Sequence, residues 1–144
     1  DRKKDLIVTA GGKNIAPQPI ENLARSNKFV SNAIMLGDRR PFPIMLVVPN
    51  IESLKAWAAH QRIAENDPVR LLALPEVRKK LEREVRKSLR DLAQYEMPKK
   101  LLLLSSEFSM ETGELTPKLS VRRRVVEERH REAIESLYAE PTAN

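Results

Sequence analysis

The chain has 144 residues, 41% of them hydrophobic, which suits one core-forming domain and excludes wholesale disorder. It has no cysteine and only two histidines, His60 and His130, so a disulfide scaffold, a thiolate metal site and a cysteine nucleophile are excluded, and no metal site is expected. Lys plus Arg number 26 against 20 for Asp plus Glu, a net charge of +6 that attracts phosphates of nucleic acid, anionic lipid or a nucleotide.

Leu6-Ile7-Val8-Thr9 is short and β-branched, and Ala10-Gly11-Gly12-Lys13-Asn14 follows. The pattern predicts a strand, a glycine turn and a second strand ending at Ile15-Ala16-Pro17, a small hairpin. Pro19 suits a first helical turn, and Ile20, Leu23 and Ala24 form an i, i+3, i+4 stripe, predicting a short helix from about Pro19 to Ser26. Phe29 to Gly37 reads as a strand, Asp38-Arg39-Arg40-Pro41 as a turn, and Pro43 to Val48 as a returning strand. The unbroken apolar run of that second strand predicts a central position, covered on both faces.

Pro49 ends the strand, and Asn50 is expected to cap a helix running to about Glu65, with Ile51, Leu54 and Ala58 inward. Asn66-Asp67-Pro68 opens a helical turn through Leu72. Pro75 begins the longest helix, where Val77, Leu81, Val85, Leu89 and Leu92 recur at spacings of four and three. Its other face carries Arg78, Lys79, Glu82, Arg83, Arg86 and Lys87, with opposite charges paired at i, i+4. Pro98 precedes a third buried strand, Lys100 to Leu104. A turn at Thr112-Gly113-Glu114 leads to Leu115-Thr116-Pro117, and a final helix is expected from about Val125 to Tyr138. No apolar run approaches the roughly 20 residues of a membrane span. The class is α+β: an N-terminal two-stranded hairpin and a three-stranded sheet packed against helices.

Two segments carry chemistry. In the first, Gly11-Gly12 lets a ligand approach the backbone closely, and Lys13 places a cation at the hairpin tip. The second, Thr112-Gly113-Glu114-Leu115-Thr116-Pro117-Lys118-Leu119-Ser120-Val121-Arg122-Arg123-Arg124, sets a lone lysine and three arginines before the last helix.

Together they resemble a known family. Asp1-Arg2-Lys3-Lys4-Asp5-Leu6-Ile7-Val8-Thr9-Ala10-Gly11-Gly12-Lys13-Asn14-Ile15-Ala16-Pro17 is similar to the hinge motif opening the small C-terminal domain of adenylate-forming enzymes, in their long-chain fatty acyl-CoA synthetase branch. Leu-Thr-Pro with a basic run and Val-Val-Glu-Glu-Arg resembles the C-terminal motif of the same branch. The resemblance implies that residues 1–144 are a lid domain, with residues 1–5 as its hinge and a large N-terminal adenylation domain as its partner. The chain starts at Asp1 rather than Met and is expected to be an excised piece of a longer protein, inert by itself. It implies a ligase reaction: a fatty acid and ATP give acyl-AMP and pyrophosphate, and CoA then displaces AMP. ATP, CoA and the fatty acid are the expected small molecules, with Mg2+ held beside ATP mainly by the large domain.

Carried over by residue, the resemblance implies that Arg2 contacts the nucleotide ribose and that Lys4 is the position about which the lid turns. It implies that Thr9, Ala10, Gly11 and Gly12 line the pantetheine channel of CoA, and that Lys13 meets nucleotide phosphate. The adenylation lysine of the family stands three residues after the proline; here that slot is Ser120, and a lysine stands two residues earlier at Lys118. In an extended segment, residues two apart point the same way about 6.5 Å apart. Lys118 is therefore the expected catalytic cation, with the Ser120 position and Arg122 as alternates, and reduced adenylation as the remaining reading. The rival class is a basic module for RNA or anionic membrane without catalytic role; acids interleaved with the bases and 4% aromatic residues argue against nucleic acid. The expected location is cytoplasmic, with peripheral membrane contact of the full enzyme left open.

Overall fold

The run Ile44–Val48 has no charged side chain, and in the computed structural model, which describes residues 6–141, every residue of it is buried. It lies in the middle of a sheet. β1 (Ile7–Val8) and β2 (Asn14–Ile15) form a separate two-stranded hairpin. Then follow α1 (Pro17–Arg25), β3 (Val30–Leu36), β4 (Ile44–Pro49), α2 (Ile51–His60), α3 (Pro68–Ala73), α4 (Pro75–Ser88), a 3-10 turn over Gln94–Glu96 and β5 (Lys100–Leu103). The last elements are α5 (Arg123–Arg129) and α6 (Arg131–Ala139). The chain divides into two compact units, Asp1–Ser105 and Ser106–Asn144.

In the first unit the strand order is β3-β4-β5. β3 runs antiparallel to β4, from Leu36 opposite Ile44 to Val30 opposite Pro49, with an irregularity between Val30 and Asn32. β5 runs parallel to β4, Ile44 opposite Lys100 and Val47 opposite Leu103. A parallel return needs a long crossover, and α2, α3 and α4 supply it. Ala33, Met35, Met45, Val47 and Leu101 of the sheet share one core with Ile20, Leu54, Leu71, Val77, Leu81, Val85 and Leu89. The expected hairpin, the central strand and the α+β class are all present. β5 is the sheet's edge and only Leu101 of it is fully buried, so its burial is less than the apolar run suggested.

The other edge, β3, is closed by α1. Glu21, itself buried, accepts the Met35 N–H at 2.7 Å, and Arg25 donates to the Ala33 carbonyl at 2.9 Å and to Asn32 at 3.1 Å. Edge groups that would otherwise invite another strand are thereby taken. α1 starts at Pro17, not Pro19, because either proline fits a first turn; Leu23 is exposed, and the buried stripe is Ile20, Glu21 and Ala24.

The expected caps form: Asn50 accepts from Ser53 N at 3.1 Å and Asp67 from Arg70 N at 3.0 Å. α2 stops at His60, five residues short of expectation, and Ile51 is only partly buried. Arg62 takes the left-handed conformation (φ 64°) and Ile63 N returns to the Ala58 carbonyl at 2.8 Å, a C-terminal motif usually built on glycine. The expected continuous last helix is broken at His130 (φ −109°, ψ 21°), whose ring is drawn to Glu114.

Asn27 ties the start of β3 to α4, its side-chain amide donating to the Glu84 carboxylate and carbonyl (3.1 Å each) and to Ser88 (3.0 Å). The hydrogen bond from Lys80, and then that from Asn27, holds the Glu84 pKa below the ordinary carboxylate value of 4.5. A carboxylate with a lowered folded-state pKa stabilises the fold fully above its unfolded value, and that contribution is lost as pH falls through the folded one. Urea unfolding should therefore show stability declining below about pH 4.5, and Glu84→Gln should flatten part of that decline while leaving the neutral-pH fold intact.

Candidate functional site: the glycine turn and the basic hairpin

Of the N-terminal motif, Arg2 and Lys4 lie outside the described residues. Within the hairpin Ile7 pairs with Ile15 and both are buried, while Val8 is exposed. Thr9 shapes the turn from inside: it is buried, its carbonyl accepts from Gly12 N at 2.9 Å, and its hydroxyl accepts from Lys13 N at 3.2 Å. The hairpin leans on the turn after β3, where Arg39 N donates to the Val8 carbonyl and Ala10 N to the Arg40 carbonyl, each at 2.8 Å. Asp38 completes the join by accepting from Val8 N at 3.0 Å.

Ala10, Gly11, Gly12 and Lys13 are left exposed. The two glycines differ. Gly12 has φ 87°, which the turn requires and which favours glycine. Gly11 has no such angle, and a Cβ built on it would meet nothing within 4 Å. Nothing among the described residues demands glycine there, so its bare backbone is open to an outside ligand. Lys13 is held by an aromatic face, its Nζ 5.3 Å from the centroid of the Tyr95 ring. Tyr95 was not singled out from sequence; it is 82 positions away, and only the 3-10 turn brings it there.

The basic segment lies in the second unit. It is not extended. Leu115 bridges Val121, Thr116 N donates to the Ser120 carbonyl and Leu119 N to the Thr116 carbonyl, each at 2.8 Å, closing a tight hairpin. Thr116 also accepts from Ser120 N at 3.1 Å through its hydroxyl. Leu119 occupies the left-handed position (φ 67°) that such a three-residue loop needs, at a cost of roughly 1–2 kcal/mol for a residue other than glycine. The expectation that Lys118 and Ser120 project alike from an extended stretch is thus corrected. Lys118 stands at the exposed tip beside Pro117 and Leu119, and Ser120 is half-buried on the returning arm with its backbone groups engaged. Lys118 has no hydrogen-bond or ion-pair partner among the described residues. Arg122 and Arg124 are exposed and Arg123 is half-buried.

A buried carboxylate fastens the base of this hairpin. Glu114 is 3% exposed; it accepts from the Thr112 hydroxyl at 2.6 Å, contacts His130 Nε2 at 3.1 Å and pairs with Arg129 Nε at 3.6 Å. Its carbonyl accepts from Arg122 N at 2.7 Å. The sequence carried one signal of this cluster, a single acid inside a segment otherwise basic, but no local rule pairs it with a histidine 16 residues on. Among the described residues no group of three or more His, Cys, Asp or Glu could hold a metal ion. Phosphate oxygens and a narrow chain of atoms are what the exposed glycine backbone and the two lysines can accommodate.

Residues 4–142 match the family model described as the AMP-binding enzyme C-terminal domain. The chain is 34% identical over 138 residues to the long-chain-fatty-acid–CoA ligase FadD15 of Mycobacterium tuberculosis, covering 95% of this chain and 23% of that protein. It is 33% identical over 147 residues to the peroxisomal long chain acyl-CoA synthetase 7 of Arabidopsis thaliana, covering 100% of this chain and 21% of that one. The chain thus spans about a quarter or less of these curated relatives. Among solved structures it is similar to the adenylation domain of carboxylic acid reductase from Segniliparus rugosus in complex with AMP and a co-purified carboxylic acid. There the TM-score is 0.75 at 25% identity, over 96% of this chain and 20% of that one.

Replacing Glu114 by alanine keeps its carbonyl for Arg122 N but leaves Thr112, Arg129 and His130 without their anchor. A loss of about 1–3 kcal/mol is expected, read by hydrogen exchange as faster exchange of the Thr116, Leu119 and Arg122 amides, with the amides of β3 and β4 unchanged.

Proposed function

Because the chain belongs to the family of AMP-binding enzyme C-terminal domains, we propose that it is the lid of an ATP-dependent long-chain fatty acid–CoA ligase. The observation that carries this reading is the 34% identity to a long-chain-fatty-acid–CoA ligase across 95% of the chain, both chemical segments included. In the first half-reaction a fatty-acid carboxylate attacks the α-phosphorus of ATP, the bond to pyrophosphate breaks, and acyl-AMP forms. In the second, the CoA thiol attacks the acyl carbonyl and AMP leaves. The lid turns about the segment containing Lys4 and offers its partner domain the basic hairpin for the first step and the glycine turn for the second.

Lys118 supplies positive charge where it builds on the α-phosphate. Its support is position: an exposed tip with no ion-pair partner among the described residues, on a hairpin whose base is fixed by Glu114. Arg122, at the foot of the same hairpin, and the Ser120 slot are the less favoured candidates. Gly11 and Gly12 give the pantetheine arm of CoA a surface without side chains, and Lys13, steadied by Tyr95, meets nucleotide phosphate. Arg2 meets the ribose. Mg2+ would enter with ATP and be held mainly by the large domain.

Two measurements on the full-length enzyme test this. Acid-dependent pyrophosphate release should fall by about 100-fold or more in Lys118→Ala, and by far less in Ser120→Ala and Arg122→Ala; unchanged release in Lys118→Ala rejects the lysine. Gly11→Ala should keep thermal stability and acyl-AMP formation while slowing transfer to CoA by about tenfold or more, since a misplaced thiol forfeits orientation. An equal loss in both steps would show that Gly11 serves the fold.

A further inference from the structure

The outward face of α4 has no part in the reading above. The helix buries Val77, Leu81 and Val85. At about 100° per residue, Lys79, Arg83 and Lys87 fall on the opposite side within an arc of about 80°. All three are exposed, and among the described residues none of their side chains enters an ion pair or hydrogen bond. Arg90, also exposed, follows just past the helix with Nη1 on the Lys87 carbonyl at 2.6 Å.

Among the acids of α4, Glu76 shares the bearing of these cations but precedes them by about a turn, and Glu84 feels the Lys87 charge but is bonded elsewhere. Glu84 is half-buried and turned to Lys80 at 2.7 Å and Asn27 at 3.1 Å. Glu82 is half-buried and interacts with Arg86, whose guanidinium is drawn to the Pro98 and Lys99 carbonyls. Glu76 sits in the first turn, where the helix dipole favours an acid. From Lys79 to Arg90 the outward row is cationic without interruption over about 16 Å.

We propose that this row docks the enzyme on an anionic lipid surface. The choice of lipid rests on the long-chain acyl reading above, because a long-chain fatty acid concentrates in bilayers and an enzyme lying on one meets its substrate there. Chemistry favours the bilayer over RNA. The row has no aromatic, amide or hydroxyl side chain to stack on or read a base. Straight aliphatic stems carrying charges along one line suit a plane of headgroups.

The test is co-sedimentation of the full-length enzyme with phosphatidylcholine vesicles with and without phosphatidylglycerol, beside a pyrophosphate-release assay in vesicle-free buffer. Each Lys or Arg at such a surface contributes about five-fold to partitioning. The triple variant Lys79→Gln, Arg83→Gln, Lys87→Gln should therefore bind phosphatidylglycerol vesicles on the order of 100-fold more weakly, with normal pyrophosphate release. Binding of the parent enzyme should also weaken as salt rises. A control losing the same charge elsewhere, Lys28→Gln, Arg62→Gln, Arg70→Gln, should bind nearly as the parent does. No preference for phosphatidylglycerol, equal loss in both variants, or displacement of vesicles by double-stranded RNA overturns the docking surface. Vesicle binding that tracks the row, with no release for any fatty acid, leaves the docking surface standing and overturns the ligase reading instead.

Discussion

A strand with no solvent face dictates most of the first unit. Each residue of Ile44–Pro49 is buried, so β4 must have a neighbour on both edges and cover on both faces. The antiparallel neighbour comes through a tight turn in which Gly37 has φ 151°, and a Cβ there would stand 2.8 Å from Pro43 Cα. The parallel neighbour cannot be reached by a turn, and the crossover it requires is the helical stretch α2–α4, whose apolar stripes complete the core. The edge left at β3 is then closed by Glu21 and Arg25 of α1. Sheet, crossover and edge cover follow from one apolar segment.

The two chemical segments lie in different units, yet both are short hairpins built alike. Each needs one residue in the left-handed conformation, Gly12 in one and Leu119 in the other. In each, that residue stands beside another that the chain itself does not need in its place, Gly11 or Lys118. A turn is well suited to this division: its hydrogen bonds fix the backbone, and the residues at its tip are left with open space. Leu119 is 64% exposed in a strained conformation, so the hairpin tolerates a cost of the kind that glycine would avoid.

Features written in neighbouring residues were legible before any coordinates. The apolar run of β4, the Asn50 and Asp67 caps, the four-residue period of α4 and the two motifs each depend on contacts within a few positions. What escaped depends on distant partners or on a residue doing unusual work. α2 ends at His60, and the left-handed angle just beyond it falls on Arg62 rather than on a glycine, so the usual stop signal is missing. The last helix breaks at His130 without proline or glycine, beside a contact with Glu114 that spans 16 positions. The Lys118 segment looked extended because Leu-Thr-Pro favours extended backbone, whereas Thr116 turns it through its own hydroxyl. Tyr95 beneath Lys13 followed from no local pattern at all.

A net charge of +6 says that phosphates are attracted, but not by which residues. The structure divides the cations by what already holds them. Lys80 is turned inward, over the Phe29 and Trp57 rings and onto Glu84; Arg25 and Arg86 serve backbone carbonyls; Arg129 serves Glu114. These charges cannot turn to a ligand without giving up fold contacts. Lys118 and the row Lys79, Arg83 and Lys87 have no hydrogen bond or ion pair among the described residues, although composition gave them no distinction from the others. Availability, rather than charge itself, is what separates a cation that can meet a phosphate from one that holds the fold, and it becomes visible only when every partner has been assigned.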